Sequence, residues 1–443
     1  MADRRFVVVT KDFSGLGWAD RLDQEGNEVH VAVRYEEEEK PEHRKAMKEV
    51  GKGWLDVLDL DKAIDTFGDD KDVYWIFAEN NFPDEAEALI KDGCKVFPPS
   101  MALGEQMEHD RDLGVDIAKQ SGLTPPKTFD FTDREEALQF LDSHPDHAYV
   151  MKINDNKFNF QTFVPNARED EDANRQLSTF LEHMKEEPGD FILQERIPIE
   201  KGLEVNAELW LYKGEPIAAT VGLELKRKNT YDVGEMTGCA GDFMFFVDID
   251  TPLIQQTVAK MLPFYKQHSY TGFADVNVIL TKDNEPHFLE VCNRMGYNAH
   301  VSMLIGLGLD PVGDILADYT DGKVEDMDQR FSRDICCSLT LFMDHPRLGL
   351  PITVKPEYAD RYYPFDGFKE DGDLLMTGYS DELGIFVGRA KTLEAAWDKV
   401  STEIAQDEAV IAPDIYYRWD LAETNYYNAP VLRYRELKKR GLL

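Results

Sequence analysis

The chain has 443 residues, 42% of them apolar, which is enough to bury the cores of several structural units. Its 85 acidic and 49 basic residues give a formal net charge of −36. This charge predicts no direct partner among duplex nucleic acids or membranes, because both anionic surfaces would repel the protein. The apolar runs are strand-sized and the first residues lack a signal-peptide core, which predicts a cytoplasmic protein. Five scattered cysteines predict reduced thiols.

The N-terminal segment alternates strands and helices as a βαβ unit does. Strands are predicted at residues 6–9, 28–33, 73–77 and 95–97. A turn at residues 14–17 precedes a helical stretch, and the third strand ends in residues 79–81, where a doubly wound sheet places loops that face a ligand. The full G-x-G-x-x-G spacing is missing, so we reject a Rossmann dehydrogenase.

From about residue 113 the pattern changes to mixed helices and strands. Helices are predicted at residues 134–141 and from residue 393, a hairpin around residues 212–215, a strand ending at residues 150–152, and further strands at residues 191–195, 273–277, 287–291, 338–342 and 384–388. The fold class predicted for the whole chain is therefore α/β and α+β, with several domains.

Candidate nucleotide-binding residues lie at the ends of two of these strands. Lys152 closes a predicted buried strand, from which its ammonium group could bind a phosphate; a lysine that reaches solvent is the alternative. The strand at residues 191–195 leads into Arg196 and Ile197 and offers backbone groups at a sheet edge for an adenine. Glu204, several residues later, is a candidate for the ribose hydroxyls.

Candidate metal ligands follow the strand at residues 287–291. Glu290 ends this apolar strand, and Asn293 and Arg294 follow closely, so a metal-binding carboxylate and a cation for a phosphate or acyl group would share one loop. Asn277 lies on the preceding strand. Carboxylate and amide oxygens are the ligands that Mg²⁺ prefers.

In their order and spacing, these elements resemble those of the ATP-grasp ligases, and in particular of the phosphoribosylamine–glycine ligases. The matching segments are Phe97-Pro98-Pro99-Ser100, Leu123-Thr124-Pro125, Val150-Met151-Lys152, Gln194-Glu195-Arg196-Ile197, Leu225-Lys226-Arg227, Met236-Thr237-Gly238-Cys239-Ala240-Gly241, Glu290-Val291-Cys292-Asn293-Arg294-Met295-Gly296 and, near the C-terminus, Ile415-Tyr416-Tyr417-Arg418-Trp419-Asp420. Agreement in order along most of the chain is more specific than any single motif.

The resemblance implies an ATP-grasp fold. Residues 1–105 would form a doubly wound pre-ATP-grasp domain, residues 106–330 two lobes with a nucleotide between them, and residues 331–443 a small closing domain. The implied activity is an ATP-dependent ligation, through an acyl phosphate, of a carboxylate such as an amino acid to an amine. Both substrates would be small molecules, the cofactors ATP and Mg²⁺ or Mn²⁺, and the process purine biosynthesis.

The resemblance also implies roles for individual residues. The implied ATP-binding residues are Arg111, Lys152, Gln194, Glu195, Ile197 and Glu204; the implied metal ligands are Glu290 with Asn293 or Asn277; and the implied catalytic cations are Lys226 and Arg294. Arg111 stands where the family has its first nucleotide-site lysine.

Several departures from the family pattern leave two alternatives open. Residues 154–161 hold no glycine where the family covers the phosphates with a glycine-rich loop, and Cys292 stands at the place of a metal-binding asparagine. Residues 12–18 and 294–299 also differ from the family's substrate loops. One alternative is a diverged ligase that joins an amino acid to another amine-bearing nucleotide or metabolite. The other is a non-catalytic descendant that binds nucleotide.

Overall fold

The computed structural model describes residues 4–35, 41–153, 162–165, 170–184, 189–197, 202–295 and 297–443. The chain divides into two compact units. The first comprises Met1–Glu108, Val205–Val276 and Val291–Leu443, and the second His109–Glu204 and Asn277–Glu290. The glycine-free segment at residues 154–161 and Gly296 lie outside the described residues. The domain boundaries near residues 105 and 330 stay a prediction.

Twenty-three strands and fourteen α-helices are described in chain order. Up to residue 109 they are β1 (Arg5–Thr10), α1 (Leu16–Gln24), β2 (Glu28–Val33), α2 (Pro41–Met47), β3 (Asp56–Asp59), α3 (Leu60–Phe67), β4 (Val73–Phe77), α4 (Pro83–Lys91), β5 (Lys95–Phe97) and α5 (Met101–His109). They continue with α6 (Arg111–Gln120), β6 (Thr128–Phe131), α7 (Arg134–Ser143), β7 (Tyr149–Ile153), β8 (Thr162–Phe163), α8 (Asp170–His183), β9 (Phe191–Glu195) and β10 (Leu203–Tyr212).

The remaining elements follow in the same order. They are β11 (Glu215–Gly222), β12 (Leu225–Asn229), β13 (Val233–Val247), α9 (Pro252–Gln256), α10 (Leu262–Gln267), β14 (Gly272–Leu280), β15 (Pro286–Val291), α11 (Tyr297–Val301), α12 (Val312–Thr320), β16 (Ile335–Met343), β17 (Pro351–Val354), β18 (Tyr362–Pro364), β19 (Phe368–Glu370), β20 (Asp373–Leu375), β21 (Glu382–Ala390), α13 (Leu393–Ala405), β22 (Val410–Ile411), β23 (Ile415–Tyr416) and α14 (Pro430–Lys439). A π-helical turn at Ser302–Leu307 follows α11.

The N-terminal part of the first unit is a parallel sheet of strand order β3-β2-β1-β4-β5. Because side chains alternate across a strand, Val7 and Val9 of β1 face one hydrophobic cluster while Phe6 and Val8 face another. Both faces are thus covered, as in a doubly wound sheet. The predicted doubly wound N-terminal fold is confirmed.

The rest of the first unit is built on an antiparallel sheet. Its strands run in the order β14-β10-β11-β13-β16-β21-β18, with β12 paired to β13 and β23 to β16. Behind it, the Trp210 ring lies 5.0 Å from Phe273 and 5.2 Å from Phe331 between ring centroids. The last third of the chain therefore adds strands to the same sheet as residues 205–247.

The second unit holds an antiparallel sheet of order β6-β9-β7-β8. Met151, Leu193 and their neighbours pack against residues of α7 and α8 to form its core. The end of β14 and nearly all of β15, which are neighbours in their sheet, also belong to this unit.

The five cysteines are free thiols in the structure, and four of them are buried. Across the described ranges, no helix combines the length and apolar character needed to cross a membrane.

Candidate functional site

Lys152 lies on β7, between β9 and β8 in the second unit. It pairs with Ile192 on one side and Thr162 on the other, and only 7% of its surface is exposed. Its ammonium group donates to the carbonyl oxygen of Leu289, 3.4 Å away. A lysine that merely reached solvent would not be so buried, so the structure favours an interior role for this charge.

The pairing of β7 and β9 sorts the predicted ATP-binding side chains between two faces. Gln194 pairs with Val150 and therefore shares the face of Lys152. Glu195 pairs with Tyr149 on the opposite face, which packs on the helices, and its Oε1 lies 3.5 Å from His147 Nδ1. Burial, and then the Glu195 carboxylate, raise the pKa of Tyr149. Glu195 is thus a candidate for the nucleotide site through its backbone only.

The predicted adenine segment is not at a sheet edge, because β9 pairs with β6 on one side and β7 on the other. The amide of Glu195 donates to the Lys127 carbonyl, and the amide of Arg196 donates to the Ala148 carbonyl, each at 2.8 Å. The next amide along the chain is that of Ile197, which we retain as the candidate donor to an adenine. This corrects the expectation of an open edge over residues 191–195.

Three further predicted residues lie on other elements of the second unit. Arg111 is the first residue of α6, whose N-cap Asp110 accepts a hydrogen bond from Leu113 N. Glu204 is half-buried at the start of β10. Glu290 is half-buried on β15, directly after the residue whose carbonyl contacts Lys152. The predicted phosphate cation Lys152 and the predicted metal ligand Glu290, distant in sequence, therefore lie in one unit, and Lys152 contacts the backbone of the strand that carries Glu290.

The donor chemistry of β14 and β15 fits a magnesium ion. Asn277 is 2% exposed on β14, and Glu290 lies on the neighbouring β15, so an amide oxygen and a carboxylate are available on adjacent strands. Cys292, with a soft sulfur, lies beyond the strand end. Within the described residues, no group of three or more His, Cys, Asp or Glu side chains is arranged to hold a metal. Glu290 and Asn277 would have to be completed by oxygens of ATP and water.

Asn293, the other predicted metal ligand, belongs to the core of the first unit. It is fully buried, its Oδ1 accepts from the Tyr265 hydroxyl at 3.3 Å, and its Nδ2 lies 3.4 Å from the Met107 sulfur. The side chain is thus engaged in packing, and we do not carry it into the proposed site.

Arg294 is a half-buried cation in the first unit. Its Nε donates to Glu108 Oε1 at 2.9 Å, and Asn80 Nδ2 donates to the other oxygen of that carboxylate at 2.7 Å. The guanidinium carbon lies 5.5 Å from the centre of the Tyr297 ring. Burial alone would lower the pKa of Arg294, but the attraction of Glu108 and further negative groups leaves it raised. Arg294 therefore stays charged, as a cation for an anionic substrate must.

Lys226 lies on β12, whose hairpin with β13 belongs to the first unit. Its ammonium group is 3.9 Å from Glu224 Oε2, and its carbonyl accepts from the Thr237 hydroxyl at 3.1 Å. Arg227, the next residue, donates to the Gly234 carbonyl, and burial lowers its pKa. The hairpin thus presents two adjacent cations.

A carboxylate closes the N-terminal turn that follows β1. Glu79 accepts hydrogen bonds from the Thr10 hydroxyl at 2.5 Å, from the Lys11 amide at 3.1 Å and from the Ser14 hydroxyl. Burial, and then the nearby Asp12, raise the pKa of Glu79 to about 8. A Cβ on Gly15 would meet the side chains of the neighbouring strands at 2.9 Å, so this glycine serves close packing. The hydroxyl and amide donors of this turn are thus bonded to Glu79, where a bound phosphate would have to compete for them.

A set of buried acids, which sequence reasoning missed, lies in the antiparallel sheet of the first unit. Glu208 is 2% exposed, and its Oε2 lies 3.5 Å from His300 Nε2. Burial, and then Asp275, raise the pKa of Glu208 well above its ordinary value. Asp242 is fully buried on β13. The only sequence signal for these positions is an acidic residue within an otherwise apolar strand.

No protein-family model and no curated protein matches the chain. Several solved structures are similar to it. The phosphoribosylamine–glycine ligase of Thermotoga maritima superposes with a TM-score of 0.67 at 17% identity, covering 94% of this chain and 99% of that one. The biotin carboxylase domain of Hydrogenobacter thermophilus 2-oxoglutarate carboxylase, solved with MgADP and bicarbonate, gives 0.59 at 13% identity, with 99% and 97% covered.

A third structure is the ADP complex of N5-carboxyaminoimidazole ribonucleotide synthetase. It superposes with a TM-score of 0.57 at 12% identity, covering 92% of this chain and 98% of that one. These structures are ATP-grasp enzymes, and each aligns over nearly the full length of both chains. The chain therefore has the ATP-grasp fold, as its sequence predicted.

Proposed function

We propose that this protein is an ATP-dependent ligase that joins a carboxylate to an amine through an acyl phosphate. The observation that carries the proposal is the contact between the Lys152 ammonium group and the carbonyl of Leu289, the residue before Glu290. It brings a buried cation to the strand that carries Glu290, a carboxylate suited to magnesium, and phosphoryl transfer requires both a cation and a metal ligand. The ATP-grasp fold supports the same class of reaction.

The proposed reaction has two steps. An oxygen of the substrate carboxylate attacks the γ-phosphorus of ATP, ADP leaves, and an acyl phosphate forms. The amine then attacks the acyl carbon, phosphate leaves, and the amine loses a proton. Lys152 and Arg111 would bind the phosphates, and Lys226 and Arg294 would bind the anionic acyl group. Magnesium or manganese bound at Glu290 and Asn277 would neutralise charge on the transferring phosphoryl group.

The first specific candidate is the ligation of glycine to phosphoribosylamine, the reaction for which the Thermotoga enzyme is named. A diverged amine substrate is the second candidate, because Glu79 and Asp12 occupy the N-terminal turn where the family's sugar-phosphate loop begins. The Glu79 carboxyl occupies the hydroxyl and amide donors of this turn, so these donors are not available to the phosphate of phosphoribosylamine. A role in purine biosynthesis depends on the first candidate.

The test uses hydroxylamine, which traps any acyl phosphate as a hydroxamate and replaces the unknown amine. Each of the twenty amino acids is supplied with ATP and magnesium, and ADP and hydroxamate are measured together. A ligase forms both only when a substrate carboxylate is present. Phosphoribosylamine and other amines are then compared using the carboxylate that reacts.

A matched pair of variants shows whether the activity comes from the proposed site. Lys152→Met should remove it, whereas Lys119→Met, on the exposed side of α6, should leave it unchanged. Thermal stabilisation by ATP without ADP release for any carboxylate would refute the proposed ligase and favour a non-catalytic nucleotide-binding protein.

A further inference from the structure

The tip of the hairpin between β12 and β13 has an uncommon backbone conformation. Tyr231 and Asp232 have φ angles of 61° and 58°, in the left-handed region. Residues other than glycine rarely adopt this conformation, and consecutive ones persist only where surrounding contacts hold them. The contacts that hold this tip come from the C-terminal part of the chain.

Arg418 is the centre of these contacts. Its side chain is fully buried, and its Nε and Nη2 donate to the two oxygens of Asp420 at 2.8 and 2.5 Å. Its Nη1 donates to Asp232 Oδ1 at 2.9 Å and to the carbonyl of Arg227 at 3.0 Å. One guanidinium group thus joins a C-terminal carboxylate to both the tip and a strand of the hairpin.

The two carboxylates bonded to Arg418 make further hydrogen bonds that fix the tip. Asp420 Oδ2 accepts from the amide of Tyr231 at 2.7 Å. Asp232 Oδ2 accepts from Asn428 Nδ2 at 3.1 Å and from the Tyr426 hydroxyl. Asp420 is fully buried and Asp232 is half-buried. Carboxylates withdrawn from water that share hydrogen bonds with an arginine define one geometry, because any other would leave charge without compensation.

We infer that Arg418 is a positioning residue that fixes the β12–β13 hairpin and thereby sets the place of the cations Lys226 and Arg227. The inference rests on the proposed function, in which Lys226 binds the acyl group. Arg418 donates to the carbonyl of Arg227, the residue directly after Lys226.

The hairpin also touches the loop of Arg294. A Cβ on Gly238 of β13 would lie 2.8 Å from the ring of Tyr297, the ring on which the Arg294 guanidinium rests. A displaced hairpin would therefore disturb the position of both proposed substrate cations. Lysine could not replace arginine here, because a single ammonium group cannot bond both oxygens of Asp420 and also reach Asp232.

The test combines kinetics with hydrogen exchange in three variants. Arg418→Lys keeps the positive charge but loses the several N–H donors of the guanidinium group. Tyr426→Phe removes one hydroxyl from the hydrogen-bond network and keeps the aromatic ring. The matched control is Arg435→Met on α14, which breaks an exposed ion pair with Glu394. The Michaelis constants for glycine and for ATP are measured in the hydroxamate assay; if glycine does not react, the amino acid with the fastest ADP release takes its place.

For Arg418→Lys we expect the KM of the carboxylate to rise about tenfold, equivalent to about 1.4 kcal/mol. The KM for ATP should stay within about twofold, and the amides of residues 225–241 should exchange faster. Tyr426→Phe should change the same quantities in the same direction by about threefold, roughly half of that free energy. The control should match the wild-type protein in all of them.

Unchanged exchange in the hairpin, or equal changes in both KM values, would overturn the inference. Loss of activity in proportion to the loss of folded protein would overturn it as well, since that is the result of a purely structural role. If the wild-type protein forms no hydroxamate with any amino acid, the proposed function fails. The exchange measurements on the three variants then still decide whether Arg418 holds the hairpin.

Discussion

Asp242 offers a direct test of how burial sets the charge state in the antiparallel sheet. It lies fully buried on β13, and its Oδ1 accepts from the Ser302 and Ser338 hydroxyls at 3.1 and 2.6 Å. Burial is the main cause that raises the pKa of Asp242 from 3.8 to about 7. Because the folded state holds this proton more tightly, its contribution to stability is complete below pH 3.8 and is lost as the pH rises through about 7.

The size of the effect follows from the pKa difference. A rise from 3.8 to about 7 is about three pH units, and each unit corresponds to about 1.36 kcal/mol, so ionised Asp242 destabilises the fold by about 4 kcal/mol. Asparagine keeps an acceptor for the two serines but cannot ionise. The Asp242→Asn variant should therefore gain up to about 4 kcal/mol in unfolding free energy relative to the wild type between pH 4 and pH 8.

Urea unfolding at pH 5, 6, 7 and 8 measures this difference. Asp23→Asn, an exposed position on α1, serves as the control and should show no comparable trend. A difference between Asp242→Asn and the wild type that does not change with pH would refute the argument. It would mean that Asp242 is already ionised at pH 5, and hence that the polar surroundings outweigh burial.

Three further predictions concern the candidate sites. Lys152→Met should keep the circular dichroism spectrum of the wild type but lose roughly 2 to 4 kcal/mol of transition-state stabilisation, which lowers kcat/KM for ATP about thirty- to several hundred-fold. An unchanged kcat/KM would remove Lys152 from the proposed site. Glu290→Gln should abolish ADP release while Cys292→Ser stays within about twofold of wild type, because magnesium prefers oxygen; the opposite order would indicate a thiol role. The melting temperature of Glu79→Gln should depend less on pH than that of the wild type between pH 5 and pH 9. The pKa of Glu79 is raised to about 8, so the contribution of this group to wild-type stability is lost as the pH rises. Parallel plots of melting temperature against pH for the two proteins would contradict this.

Local patterns in the sequence were enough to predict much of the fold. Strands β2, β4, β5 and β9 have the predicted bounds, and α13 begins at the predicted residue, because apolar runs and capping residues act over a few positions. Strand β3 was missed because Asp56–Asp59 is short and has a charged residue at each end. The order of motifs along the chain predicted the ATP-grasp fold, which is confirmed.

The tertiary structure decided which of these residues meet. The alternation along β9 separates Gln194 from Glu195, and only the pairing with β7 shows which of them shares a face with Lys152. The partner of Lys152 at residue 289 is 137 positions away, and those of Arg418 at residues 227 and 232 are 191 and 186 positions away. The raised pKa values of Glu79 and Asp242 likewise come from burial by distant segments. A short segment specifies its own period and conformation, but burial and contact depend on how remote strands pack, and no local pattern records that.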